Sequence, residues 1–129
     1  MEISATVKNR YEHHEAVVET DGDIKVVEIA SKPSGYGSSV NGGELLLLSL
    51  ATCFCNDIYR EAAKRNIAVS EVKVVCTSRF GEPDGQFQYK TTIVSDAPAD
   101  VIDELIRYTD SVAEVHNTLR RGLDITLVQ

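Results

Sequence analysis

NGGELLLLSLATCFCND, residues 41–57, is the stretch of sequence that decides the fold. Residues 44–54 are almost wholly apolar, and residues 56–64 mix apolar and charged side chains at helical spacing. This pattern predicts one long helix that is buried all round in its first half and half-exposed in its second. Asn41 and Glu44 have the spacing of a capping box at its start. The apolar run is shorter than the ~20 residues that a membrane span requires.

Composition and charge describe an ordinary globular chain. Its 129 residues, 43% hydrophobic and 26% charged, predict a single soluble domain over residues 1–129. A net charge of -7 disfavours nucleic acid and membranes as partners. The opening residues alternate like a strand and lack the basic start of a signal peptide. Three cysteines without a CxxC pair disfavour a disulfide scaffold or a metal site, and they favour a reducing cytoplasm.

Shorter patterns surround the central helix and predict an α+β fold. Strands followed by a helix, twice over, are typical of that class, and a helix apolar on every face needs further cover. We therefore expect an isologous homodimer. In chain order the predicted elements begin with a three-stranded meander (3–7, 16–20 and 24–30), in which Asp21-Gly22 is a two-residue hairpin turn. The central helix follows, then a β-hairpin (69–80 and 87–93), a second helix capped by Asp96, a helical stretch over 111–120 and a final strand over 123–127.

Two cysteines lie on the central helix and one on a strand. Cys55 shares a helix face with apolar residues only, which indicates a small core side chain. Cys76 shares a strand face with apolar residues and is interpreted in the same way. Cys53 lies where the apolar stripe turns polar, which is typical of a reactive thiol, although a bland buried thiol is the alternative. Arg60 would favour its thiolate, and Asp57 would oppose it.

Three motifs, together with the order of the elements, give the chain a resemblance to OsmC/Ohr proteins. They are Asn-x-x-Glu-Leu-Leu at 41–46, Ala-x-Cys at 51–53 and His-Asn-Thr-Leu at 116–119. The resemblance implies an intertwined homodimer with two active sites at the subunit interface. It also implies organic hydroperoxide reduction by a cysteine pair, in which a thiolate on the central helix becomes a sulfenic acid and lipoyl-type dithiols reduce the resulting disulfide. Cys53 matches the attacking cysteine.

The other catalytic positions of the family depart from its pattern. The glutamate of the family falls on Gly43, so Glu44 is the neighbouring candidate. The resolving cysteine falls on Ala113. The thiolate-stabilising arginine falls near His13, and Arg10 is the closest arginine.

His116 replaces a serine of the family, which makes it a candidate base or donor near the thiol, with a helix-surface histidine as the alternative. His13 and His14 are flanked by glutamates, which suggests a metal site. A solvated loop is favoured instead, because adjacent side chains on an extended segment point in opposite directions.

Two functions follow from these residues. The first is a thiol-dependent redox protein of the OsmC/Ohr type that reduces organic hydroperoxides by a one-cysteine mechanism at Cys53, with an external thiol as reductant. Arg10, His13, His116 or Glu44 would assist it. The second is a non-catalytic dimer that binds a small apolar or thiol-bearing ligand in its interface cleft. Neither function requires a cofactor or a metal.

Overall fold

The computed structural model describes residues 1–128, and its contacts group into two compact units. The first unit is Met1–Leu45, and the second begins at Leu46. Along residues 1–128, no helix is both long enough and apolar enough to cross a membrane. The elements in chain order are β1 (Ile3–Arg10), β2 (His13–Thr20), β3 (Asp23–Val26), α1 (Gly42–Lys64), β4 (Glu71–Arg79), β5 (Gly85–Val94), α2 (Ala99–Val112) and α3 (Glu114–Arg120).

The first unit contains the predicted three-stranded meander, with β2 paired antiparallel to both β1 and β3. Its tight turn is Asp21-Gly22, where φ is positive at both residues (47° and 90°). Aspartate and glycine tolerate that conformation, and it matches the twist of a hairpin. The hairpin prediction is confirmed, although β3 ends at Val26, before the predicted limit of residue 30.

The central helix begins and ends where the sequence predicts. Asn41 and Glu44 form a reciprocal capping box: the Glu44 amide donates to Asn41 Oδ1 at 2.8 Å, and the Asn41 amide donates to Glu44 Oε1 at 2.9 Å. At the other end Asn66 has a φ of 54°, which turns the chain out of the helix.

The core of the second unit forms along one stripe of α1. Phe54, Ile58 and Ala62 are four residues apart, lie on one helix face and are at most 2% exposed. They pack with Leu105 and Ala113 and against half-buried side chains of the β4–β5 hairpin. The helix is not buried all round in its first half, because Leu48 is 60% exposed.

The C-terminal elements differ from the sequence prediction in three places. Helix α2 begins at Ala99, after Pro98, and no side chain caps it, so the prediction of Asp96 as its cap is wrong. Helix α3 is a separate helix that begins at Glu114, not at residue 111. Within residues 1–128, the segment 123–128 forms no strand, and its alternating apolar side chains are exposed. A strand forms only where another strand supplies hydrogen-bond partners, and alternation alone does not supply them.

Candidate functional site

Cys53 lies on α1 at the edge of the buried stripe and is half-buried. Its thiol donates a hydrogen bond to Asp57, with 3.6 Å between Sγ and Oδ2. Asp57 is only 5% exposed, and its other carboxylate oxygen accepts a hydrogen bond from Arg60 at 2.8 Å. The nearest polar partner of the thiol is therefore a buried carboxylate.

The environment of Cys53 favours the protonated thiol. Burial is the largest influence and raises its pKa, a backbone amide contact from Val115 lowers it, and the charges of Asp57 and Glu114 raise it further. Arg60 does not change this balance, because its guanidinium is bound to Asp57 and lies 3.5 Å from Glu61. The net pKa is raised, so Cys53 is a protonated thiol at neutral pH.

The other two cysteines are also half-buried free thiols. Burial raises the pKa of both Cys55 and Cys76. The charge of Cys55 raises the pKa of Cys76 further. Neither sulfur donates to a carboxylate within the described residues, so the Cys53–Asp57 arrangement distinguishes Cys53 from both.

An apolar cavity of about 440 Å³ lies in the second unit, next to this part of α1. Its volume falls in the range of small-molecule sites. Leu46 and Leu50 form part of its wall, and Cys53 lies one helical turn beyond Leu50. The remaining lining residues are Leu47, Phe87, Gln88, Tyr89, His116, Leu119 and Arg120.

His116 lies on α3, lines the cavity and is 5% exposed. Its ring lies among aromatic neighbours, 4.7 Å from the Tyr89 ring centroid and 5.5 Å from that of Phe54. Within residues 1–128, neither ring nitrogen has a hydrogen-bond partner. The alternative of a helix-surface histidine is therefore wrong, because α3 turns this side chain inward.

Burial lowers the pKa of His116, and the positive charge of Arg120 lowers it further. The carboxylates of Asp110 and Asp57 act in the opposite direction but do not reverse the shift. The ring is therefore neutral near pH 7 and carries one N–H donor and one acceptor nitrogen.

A second polar cluster borders the cavity. The Tyr89 hydroxyl donates to Asp110 Oδ1, and Arg120 donates to the same oxygen at 2.7 Å. Burial by itself would raise the pKa of Asp110, but the hydrogen bonds from Tyr89 and Arg120 lower it overall. Arg120 also donates to the Asp110 carbonyl oxygen and to Asn117 Oδ1. The charges of Asp110 and Arg120 are thus compensated within the protein.

The candidate site residues divide between the two units. Cys53 and His116 belong to the second unit. The backbone of Val115, the residue before His116, acts to lower the pKa of Cys53, and Asp57 acts on the pKa of both Cys53 and His116. Arg10, His13 and Glu44 belong to the first unit.

The first-unit candidates have local partners of their own. Arg10 lies opposite His13 in the β1–β2 register, and His13 Nε2 lies 2.8 Å from Glu15 Oε1. His13 and His14 begin strand β2, so the interpretation of a loop is wrong, although His13 is exposed as expected. Glu44 is engaged in the capping box described above.

Sequence reasoning missed Tyr89, Asp110 and Arg120 as neighbours of the candidate site. They come from three different elements and have no diagnostic spacing, so no local pattern would have found them. Asp57 was noticed only as an opposing charge, although its position one turn after Cys53 already predicts a contact.

The chain belongs to the OsmC-like protein family, whose family model matches residues 35–128. No curated protein sequence matches the chain significantly. The family match covers the central helix that carries the half-buried thiol of Cys53.

Solved structures of that family share the fold over nearly the whole chain. An OsmC-like protein from Mycoplasma pneumoniae is 19% identical, with a TM-score of 0.62, and 99% of this chain and 96% of that one are covered. A Vibrio cholerae O1 biovar eltor protein assigned to organic hydroperoxide resistance, with captopril bound in one of the active sites, is 20% identical, with a TM-score of 0.60 and coverage of 96% and 88%. An organic hydroperoxide resistance protein OsmC from Legionella pneumophila is 18% identical, with a TM-score of 0.56 and coverage of 95% and 94%. At these identities the likeness shows the fold.

Proposed function

We propose that this protein is a thiol-dependent redox protein that reduces small apolar hydroperoxides through Cys53, with an external thiol as reductant. The observation that carries the proposal is the environment of the Cys53 sulfur. The thiol donates a hydrogen bond to Asp57, and the backbone of Val115 acts to lower its pKa. Cys53 does not itself line the apolar cavity, but it lies one helical turn beyond Leu50, which does. Membership of a family whose solved structures include organic hydroperoxide resistance proteins supports the substrate class.

The proposed first step uses Asp57 as a proton relay. The sulfur attacks the terminal peroxide oxygen, so that an S–O bond forms and the O–O bond breaks. Asp57 accepts the thiol proton as the sulfur attacks, and it returns that proton to the departing alkoxide, which leaves as an alcohol. Cys53 is thereby oxidised to a sulfenic acid while the hydroperoxide is reduced.

The second step requires thiols from outside the chain. The position that corresponds to the resolving cysteine of the family is Ala113, which is 0% exposed and part of the core. One external thiol condenses with the sulfenic acid and releases water. A second thiol then attacks the mixed disulfide, which frees Cys53 and leaves the reductant as a disulfide.

Sulfenic acid trapping tests this proposal. After cumene hydroperoxide and dimedone are added, peptide mass spectrometry is expected to locate one dimedone adduct on Cys53. Cys53→Ser should abolish the adduct, whereas Cys55→Ser and Cys76→Ser should retain it, because they are matched half-buried thiols without a carboxylate partner. The absence of an adduct on a Cys53 that iodoacetamide still alkylates would exclude the redox function.

A second candidate is the non-catalytic binding of a small apolar or thiol-bearing ligand. The raised pKa of Cys53 favours it, because a protonated thiol is a weak nucleophile. Binding of an apolar ligand with no dimedone adduct under any peroxide treatment would select this function.

A homodimer and a cytoplasmic location belong to the same proposal. Leu48 on the central helix is 60% exposed, and the apolar side chains of residues 123–128 are exposed as well. Burial of such surfaces in a second copy removes them from water. Three free thiols are suited to a reducing compartment.

Arg10, His13 and Glu44 remain candidates to assist the thiol in such a dimer. Arg10 and His13 are exposed beside the turn between β1 and β2, so their side chains are accessible to a second subunit. Single substitutions of each by alanine test the idea: a contributor lowers the rate of sulfenic acid formation, and a bystander leaves it unchanged.

A further inference from the structure

Among the lining residues of the cavity, one buried polar side chain has its hydrogen-bonding capacity unused. His116 is 5% exposed, lines the cavity and has no partner for either ring nitrogen within residues 1–128. Buried polar atoms are normally paired, and an unpaired one costs stability that a fold retains where it serves a ligand. The neighbouring rings of Phe54 and Tyr89 hold the imidazole but offer it no in-plane acceptor.

The other polar groups at the cavity do not call for a charged ligand. The guanidinium of Arg120 is occupied by Asp110 and Asn117, and the Tyr89 hydroxyl is occupied by Asp110. A ligand carboxylate or phosphate would have to displace these internal partners. The remaining walls are leucine side chains, the Phe87 ring and the exposed side chain of Gln88, so most of the lining suits an apolar body.

We propose that His116 is the residue of this cavity that recognises the polar group of the ligand, and that this group is a neutral hydroxyl or hydroperoxide on a small apolar skeleton. Both ring nitrogens are closed to solvent in the structure, so recognition requires the ring to turn toward the cavity. There a neutral imidazole presents one donor and one acceptor, and an –OH or –OOH group presents the complementary acceptor and donor. The inference rests on the proposed function for the hydroperoxide as substrate, but the recognition itself involves no redox step.

A matched pair of probes tests the recognition without peroxide chemistry. The probes are 2-phenyl-2-propanol and tert-butylbenzene, which have nearly the same shape and differ by a hydroxyl in place of a methyl group. Titrations followed by protein NMR give a dissociation constant for each. His116→Phe is expected to weaken binding of the alcohol about tenfold and to leave binding of the hydrocarbon unchanged or tighter.

Three further variants separate the possible outcomes. His116→Gln keeps a donor and an acceptor and should restore part of the affinity for the alcohol. Thr91→Val removes a buried hydroxyl that also has no hydrogen-bond partner but does not line the cavity. This variant should bind both the alcohol and the hydrocarbon as the wild type does. Cys53→Ser should bind the alcohol as the wild type does, so binding survives even if the redox function fails.

Two results would overturn the inference. One is an unchanged affinity for the alcohol in a folded His116→Phe variant, even where the wild type forms the dimedone adduct on Cys53. The other is a wild type that binds neither probe.

Discussion

The Cys53 thiol donates a hydrogen bond to the buried carboxylate of Asp57, with 3.6 Å between Sγ and Oδ2. Sites that activate a cysteine place positive charge beside the sulfur, whereas this chain places negative charge there. Burial and the carboxylate together hold the resting thiol in its protonated form. In the proposed reaction the same carboxylate receives the proton when the sulfur attacks. The contact therefore disfavours the free thiolate, and under the proposed mechanism it supplies the base for the attack.

Replacement of Asp57 by asparagine separates these two effects. In Asp57→Asn the negative charge disappears, so the pKa of Cys53 falls and its alkylation by iodoacetamide at pH 7 becomes faster. Sulfenic acid formation should not rise in proportion, because the proton relay is lost. Both rates are measured by peptide mass spectrometry on the same sample.

Glu61→Gln is the matched control for this variant. Glu61 is another buried carboxylate on α1, bound by Lys64 and Arg65, and it does not contact Cys53. Its replacement should leave the alkylation rate of Cys53 unchanged. If alkylation of Cys53 were equally faster in both variants, the cause would be a general loosening of the helix, and a direct role for Asp57 would be excluded.

The alkylation rate of Cys53 should depend steeply on pH. Because its pKa is raised, the thiolate population in the folded protein still increases above ~8.5, the ordinary pKa of a free cysteine. The rate in urea-unfolded protein should level off near that ordinary value, and the rate in folded protein should level off only at higher pH. A plateau of the folded protein below pH 8 would contradict the raised pKa.

His116→Phe should stabilise the protein while it impairs recognition of the alcohol. The substitution removes two buried nitrogen atoms without partners and keeps an aromatic ring, so we expect the free energy of unfolding at pH 7 to rise by about 1 kcal/mol. Urea denaturation measures the change. A loss of stability would indicate that the nitrogens make partners in solution.

The same variant should also change the acid dependence of stability. The pKa of His116 is lowered in the fold from the ordinary 6.5, so only the unfolded chain gains a proton just below that pH. Wild-type stability should therefore fall as pH drops from about 6.5 through the lower folded pKa, and His116→Phe should lack this component. Parallel pH profiles for the two proteins would contradict the shift.

Leu48→Lys should dissociate the proposed homodimer. A lysine at this exposed position on the central helix places a charge where a second copy would otherwise bury a leucine. Sedimentation velocity is expected to show a dimer for the wild type and a monomer for the variant. A wild type that sediments as a monomer would contradict the proposed dimer.

Local patterns in the sequence were sufficient for most of the fold. The capping pair Asn41 and Glu44, the Asp21-Gly22 turn and the alternation of β4 each depend on neighbours within a few residues, and the structure confirms all three. The predicted final strand over 123–127 failed because a strand needs an edge from elsewhere in the fold, which no local pattern specifies.

The sequence by itself determined the family, the long central helix and Cys53 as the thiol that differs from the other two, because motif spacing and helical periodicity are written along the chain. Only the tertiary structure decided that α3 buries His116 without partners beside Tyr89, and that Asp110 and Arg120 neutralise each other at the cavity. These contacts join residues far apart in sequence, so their geometry exists only after the helices and the β4–β5 hairpin have packed.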